Sequence, residues 1–360
     1  MRGAVPADRA ATHHPSTNLS TIPSPRDSPP PSSRPLRYLR RADVIEAMPP
    51  LEERLELAER TLTALVADAE LPAKIGVHPR PPDSFAHAMP ALLRGAATDG
   101  SADGLGLKWV AGFATNNAAG IPAIHATVIL SDPLSGEPIA ILDGAPITAE
   151  RTAAVSGVAI RAFAPRVAGR ATRAALIGAG TQARSHLPVL GHVLPGLELS
   201  LFDRHPERAD ALAELARATP GVAAVEVAAD ARSAVEGADV VVTAASFGPV
   251  RQVMTNEWLR PDALVVPIDY ATYCAAEVAQ DADLFLVDEV GQFVANRAAG
   301  AFDDYPDPAG TIGGALIAGT TRPPGRVVAM HLGVGLADVI FGRAILATAE
   351  RLGIGTLLDR

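Results

Sequence analysis

Two glycines and an aspartate carry the first chemical signal in the chain. The apolar run Ala174-Ala175-Leu176-Ile177 ends in Gly178-Ala179-Gly180-Thr181-Gln182-Ala183, and the residues beyond read as a helix. Strand, tight turn and helix in that order form the context that a Gly-x-Gly-x-x-Ala dinucleotide fingerprint requires. Gly178 permits the turn, Gly180 lets backbone approach a pyrophosphate, and Ala183 lets helix pack on strand. Thr181 and Gln182 open the helix whose free amides would receive the phosphates. Taken alone the pattern is weak, because glycine and alanine are abundant here. It gains weight downstream, where the apolar run Leu197–Phe202 ends in Asp203, 23 residues after Gly180. An acid about 20 residues on is expected to take the ribose hydroxyls. Asp203 favours NAD by repelling a 2′-phosphate, although Arg204 and His205 follow it and can accommodate one. Thr243-Ala244-Ala245-Ser246 closes a later apolar run and is expected to line the adenosine or nicotinamide edge through amides and hydroxyls. An ordinary β-to-α turn would look the same.

These residues need a doubly wound parallel sheet to position them. Between Gly169 and about Gly310, six strand-like runs alternate with helical segments: Ala174–Ile177, Leu199–Phe202, Ala223–Val227, Val240–Thr243, Leu264–Ile268 and Leu284–Val287. That alternation predicts an α/β, Rossmann-type domain over 169–319. The flanking segments read differently. Before it, Leu71–Val77, Phe85–Ala91, Leu105–Gly112, Ala123–Leu130 and Ile139–Leu142 are strand-like runs joined by short turns, an antiparallel or mixed sheet, with helices expected from Asp43 as a cap and over Leu51–Val66. After it, Val327–Met330 and a helix from Leu336 to about Leu352 are expected to fold back onto that first part. The nucleotide domain is thus inserted in a second, α+β domain of residues 36–168 plus 320–360, and the crevice between them is the natural site. Residues 1–35, rich in Pro, Ser, Thr and Arg, cannot offset their ordering entropy and are expected to be disordered.

Bulk properties narrow the partners. The chain has 360 residues, 48% hydrophobic and 20% charged, which suits two globular cores, and only 4% aromatics, so the cores are built from Ala, Val, Leu and Ile. A net charge of −9 argues against nucleic acid or an anionic membrane as partner and leaves small molecules. No apolar run is of membrane-spanning length, and a cytoplasmic location is the expectation. The single cysteine, Cys274, reads as a small buried residue rather than a nucleophile, since no fitting base stands near it in sequence. The histidines and acids show no metal spacing, so no metal is expected.

Further motifs accompany these: His87-Ala88-Met89-Pro90-Ala91, Lys108-Trp109-Val110, Gly120-Ile121-Pro122, Gly136-Glu137-Pro138 and Ile147-Thr148-Ala149-Glu150-Arg151-Thr152-Ala153-Ala154. Together with the glycine fingerprint, the chain from Leu71 onward resembles the ornithine cyclodeaminase and mu-crystallin family. The resemblance implies a homodimer whose first domain binds an amino- or imino-acid substrate and builds the subunit interface, and a nucleotide domain holding NAD(H). In the cyclodeaminases a hydride leaves the substrate Cα, the side-chain amine attacks the imine carbon, ammonia departs and the hydride returns. Relatives run the same hydride step as ketimine reductases or amino-acid dehydrogenases, and crystallin-like or accessory members only bind the nucleotide.

By the same resemblance, Lys108 is the substrate-binding and catalytic lysine, expected to face a cleft and meet a carboxylate. An exposed lysine at a strand edge is the plainer alternative. Arg151 would hold the substrate carboxylate or a cofactor phosphate, with Thr152 beside it on the cofactor side, unless it is a surface helix charge. Lys74 stands where many members have a carboxylate-binding arginine; lysine keeps the charge and loses the fork. Asp269, just past the fifth strand, matches the catalytic acid/base, against a plain helix cap for the helix near Ala275. Thr311-Ile312-Gly313-Gly314 replaces the Gly-Glu pair common in cyclodeaminases.

Overall fold

The computed structural model describes residues 34–81, 84–95, 102–246 and 251–360. The expected tail therefore lies outside the described residues except for Arg34 and Pro35. The first domain holds strands β1 (Leu36–Leu39), β2 (Ala69–Glu70), β3 (Ile75–Val77), β4 (Ser84–Leu93), β5 (Gly104–Phe113), β6 (Ile124–Ser131) and β7 (Pro138–Asp143). Strands β4 to β7 form an antiparallel meander, and β1 pairs parallel to β7. Side chains alternate across β5, so that Lys108 points into the protein while Trp109 stands 45% exposed on the outer face. The expected strand over Leu71–Val77 shrinks to Ile75–Val77, and Asp43 sits in the first turn of its helix rather than capping it, bonding back to the Arg40 amide.

The second sheet is parallel throughout. It comprises β8 (Arg173–Ile177), β9 (Leu197–Phe202), β10 (Val222–Val227), β11 (Val240–Thr243), β12 (Leu264–Pro267), β13 (Leu284–Val287), β14 (Gly310–Thr311) and β15 (Val327–Met330), in the order β10-β9-β8-β11-β12-β15-β13-β14. Strand β15 corrects the expected boundary at residue 320. Instead of joining the first domain it inserts between β12 and β13, pairing Val328 with both Val265 and Phe285. The helix after it, Gly335–Leu352, returns to the first domain, where Gly335 passes so close to Met89 that a Cβ would meet the carbonyl oxygen at 2.4 Å. A last strand, β16 (Thr356–Leu358), closes the first sheet antiparallel to β1.

One helix, Gly144–Phe163, joins the two halves. Asp143 caps it by accepting from the Ala145 amide at 3.0 Å, Pro146 sits in the first turn where no partner is lost, and Ala164-Pro165 ends it. Fifteen of its residues are buried, because it packs against both the helix Leu51–Ala67 and the helix Thr181–Val193 of the nucleotide domain. It carries Arg151, Thr152 and Ser156 into the interior, with Thr148 half-buried.

Candidate active site

The glycine turn has the shape a dinucleotide needs. Gly178 has φ +99°, and a Cβ there would lie 2.5 Å from the Ala244 carbonyl oxygen, so no other residue fits without moving β11's loop. Its amide bonds to Phe202 O at 2.7 Å, tying β8 to β9. Gly180 is the opposite case: nothing lies within 4 Å of where a Cβ would stand, and the helix Thr181–Val193 that it opens has no side-chain cap. That open space in front of free helix amides fits a pyrophosphate. Ala183, in the first turn of the helix, is fully buried, and the Gln182 Oε1 is buried without a hydrogen-bond partner among the described residues. Asp203 accepts from the Ala179 amide and the His205 amide, both at 2.8 Å, which aims its carboxylate at a cavity of about 300 Å³ lined by Gly178, Arg204, Ser246 and Tyr273 among others.

The loop after β11 departs from expectation. The Thr243 hydroxyl donates to Asp269 at 2.7 Å, the Ala245 amide donates to the other Asp269 oxygen at 3.1 Å, and the Ala244 amide is taken by Ile177 O. Thr243 and Ala244 therefore spend their polar groups inside the protein; Ala245 and Ser246 line the cavity. Asp269 is no helix cap, since the next helix begins at Ala276 with Ala275 before it. It is 2% exposed, both oxygens are engaged by the loop, and burial pushes its carboxyl up to about 7.

A cluster of cations lies across from that sheet edge. Lys108 does not stand in an open cleft: it is 1% exposed, with Nζ 2.8 Å from Asp338 Oδ2 and 3.5 Å from Thr148 Oγ1. Arg151, equally sheltered, brings Nε to 3.5 Å from Asp338 Oδ1. Two cations share one carboxylate. Burial, and then the neighbouring Arg151, push the Lys108 amine down to about 7, against the pull of Asp338. The guanidinium also lies against Gly333, where φ is +76° and a Cβ would be 2.4 Å from its Nη1. Asp288 at the end of β13 holds this loop, accepting from the Leu332 and Gly333 amides at 2.9 and 2.7 Å. Lys74 reaches over from the first domain and donates to Leu332 O at 2.6 Å and to the Tyr270 hydroxyl at 2.9 Å. Lys74, Lys108 and Arg151, predicted from separate motifs, thus converge on residues 332–338. Thr152 is buried in the same helix as Arg151.

Behind the loop runs a buried chain of neutral groups. His186 Nδ1 lies 2.6 Å from the Gln182 carbonyl, so it carries the proton and Nε2 accepts from Ser156, whose oxygen in turn takes the Nε2 hydrogen of His331; both Nε2–Oγ distances are 2.8 Å. Burial lowers both histidines, His186 to about 4. Cys274 is fully buried and its thiol is pushed up to about 12, as suits an inert core residue.

The model of the ornithine cyclodeaminase/mu-crystallin family matches residues 39–291, which is most of the chain. The chain belongs to that family. It is 32% identical to the nodulation efficiency protein NfeD of Rhizobium meliloti over 90% of this chain and 99% of that one. Among solved structures, it resembles the Thermococcus litoralis Δ1-pyrroline-2-carboxylate reductase in complex with NADH and L-proline, with a TM-score of 0.75 at 24% identity over 89% and 99% of the two chains. It also resembles a lysine cyclodeaminase studied for recognition of L-lysine, L-ornithine and L-2,4-diaminobutyric acid, with a TM-score of 0.74 at 25% identity over 91% and 96%.

Two residues of this family member's site escaped the sequence reading. Asp338, fully buried, is the shared counter-ion of Lys108 and Arg151. Its signal was an acid within the apolar run Leu336-Ala337-Asp338-Val339-Ile340, because a buried carboxylate requires a buried partner. Tyr270 has φ +59°, a conformation that a bulky residue seldom adopts, and no local pattern announces that.

Proposed function

We propose that this family member binds NAD(H) and an α-imino or α-amino acid, and that it runs the hydride step as a net reduction of the C=N bond. The observation that carries the reading is the pairing of two buried cations with one carboxylate, Asp338, beside a dinucleotide fingerprint. Below about pH 7, where Lys108 keeps its proton, the group has one positive charge in excess. A substrate carboxylate would balance it, and Lys74 adds a third cation at the rim. Gly178, Gly180, Thr181, Gln182, Ala183 and Asp203 would hold the cofactor, with Arg204 and Ser246 at the adenosine end; once bound, it supplies or accepts the hydride. Asp203, held by two amides, supports NAD over its 2′-phosphorylated form.

Reduction is favoured over cyclodeamination by what Asp269 does. An acid/base for ammonia loss must present its carboxyl to substrate, and Asp269 is only 2% exposed, with its oxygens turned inward onto Thr243 and Ala245. Redox-neutral cyclodeamination is the second reading, favoured by the likeness to a lysine cyclodeaminase. The two separate when purified protein is given NADH with cyclic α-imino acids, or NAD with L-ornithine and L-lysine, and absorbance of the reduced cofactor is followed together with ammonia. Consumption of NADH without ammonia supports reduction. Ammonia from a diamino acid without net NADH supports cyclodeamination, and NADH binding with silence in both channels would leave only a nucleotide-binding protein.

A further inference from the structure

The carboxyl end of β12 places two consecutive side chains on opposite tasks. Asp269 turns into the sheet and braces the loop after β11, while Tyr270 turns toward the first domain, where its hydroxyl accepts from Lys74 Nζ at 2.9 Å and lies 3.4 Å from Leu332 O. Tyr270 does so at φ +59°, one of three non-glycine residues with positive φ among the described residues. Strain of that kind persists where surrounding contacts over-determine it, characteristically at functional sites. The ring is held by Phe302, with centroids 5.6 Å apart, and the Lys74 ammonium lies 5.6 Å from the ring centre. Ligands of open parallel sheets bind outside the carboxyl ends of the strands, and Tyr270 stands there, at the point where the first domain's cations arrive.

We propose that Tyr270 is the proton donor to the substrate nitrogen, with Lys74 as its partner. The proposal rests on the reading of the chain as an imine reductase. The Tyr270 O–H bond breaks and its proton forms the new N–H bond. The C=N π bond is lost, and the carbon gains a hydride from a reduced nicotinamide. The phenolate left behind is held by the Lys74 ammonium, which passes a proton back to it and is itself recharged by solvent, to which Lys74 is partly open. A hydroxyl already hydrogen-bonded to a cation can hand its proton to the nitrogen as that nitrogen gains basicity on reduction.

The test uses the full chain with NADH and a cyclic α-imino acid, comparing wild type with Tyr270→Phe and Tyr270→Gly. The glycine variant relieves the positive φ but also removes the ring packed on Phe302, so the phenylalanine variant is the one that isolates the hydroxyl. The expected result is a loss of kcat by roughly 10²–10⁴-fold in both variants. In Tyr270→Phe the melting temperature and the NADH affinity, read by fluorescence titration, should stay at wild-type values, and KM for the imine within about threefold. Wild-type turnover with Tyr270→Phe retaining more than about a third of kcat overturns the proton-donor role and leaves the reductase reading standing. A wild type that binds NADH but reduces no imine overturns both.

Discussion

Asp338 decides whether Lys108 and Arg151 can coexist in the interior. Removing one partner of a buried ionic group leaves uncompensated charge and costs about 3–5 kcal/mol. Asp338→Asn keeps the shape and removes the charge, so urea unfolding should show a loss of about 3 kcal/mol; a loss below about 1 kcal/mol would mean that the cations do not depend on it. His186 gives the pH counterpart. Its folded value of about 4 lies below the ordinary 6.5, so between those values the unfolded chain binds a proton that the folded one refuses. Stability is fully present above pH 6.5 and falls as the pH drops toward 4, by on the order of 3 kcal/mol for this group. In His186→Gln that slope disappears while the opposing titration of Asp269 is retained. Calorimetric melting temperatures should therefore decline less steeply from pH 6.5 to 4 in the variant than in wild type, and parallel declines would remove His186 as the cause. Lys74, Lys108 and Arg151 were legible through the family resemblance, and Asp203 through its spacing from the glycine turn; the structure brings the three cations together. Asp338 was not legible, because its partner Lys108 lies 230 residues earlier in the chain, and the open cleft expected for Lys108 is filled by that carboxylate.

At the scale of elements, the turn from β8 into the helix Thr181–Val193 separates folding from binding. Gly178 is required by backbone geometry, whereas Gly180 faces open space. Gly180→Ala should therefore leave the melting temperature unchanged and weaken NADH binding by tenfold or more, about 1.4 kcal/mol, since the methyl occupies the approach to the helix amides. Fluorescence titration beside a thermal melt checks this, and unchanged affinity would place the pyrophosphate elsewhere. The six strands expected from apolar runs all formed: β8, β11, β12 and β13 are buried almost end to end, β9 alternates, and β10, at the sheet edge, has no fully buried residue. Strand β15 was assigned to the wrong domain for a physical reason: its run Val327–Met330 reads as a strand, but its place between β12 and β13 is set by tertiary pairing that no local periodicity encodes.

At the scale of the whole molecule, the outer face of the first sheet leaves Ile75, Val77 and Trp109 between 45% and 61% exposed. A second copy of the chain would cover them, as the family resemblance implies. Trp109→Arg should then turn a dimer into a monomer by light scattering, and an unchanged mass would discount that face. The central claim is that hydride moves between a nicotinamide and the carbon of a C=N bond with net change in the cofactor. The most direct measurement uses NADH carrying deuterium at both C4 positions with a cyclic α-imino acid, followed by mass spectrometry of the amino-acid product and the cofactor. The account predicts deuterium at the product Cα, matched mole for mole by NAD formed. Product formed without the label, or label in the product while the cofactor ends as NADH and ammonia is released, would contradict it.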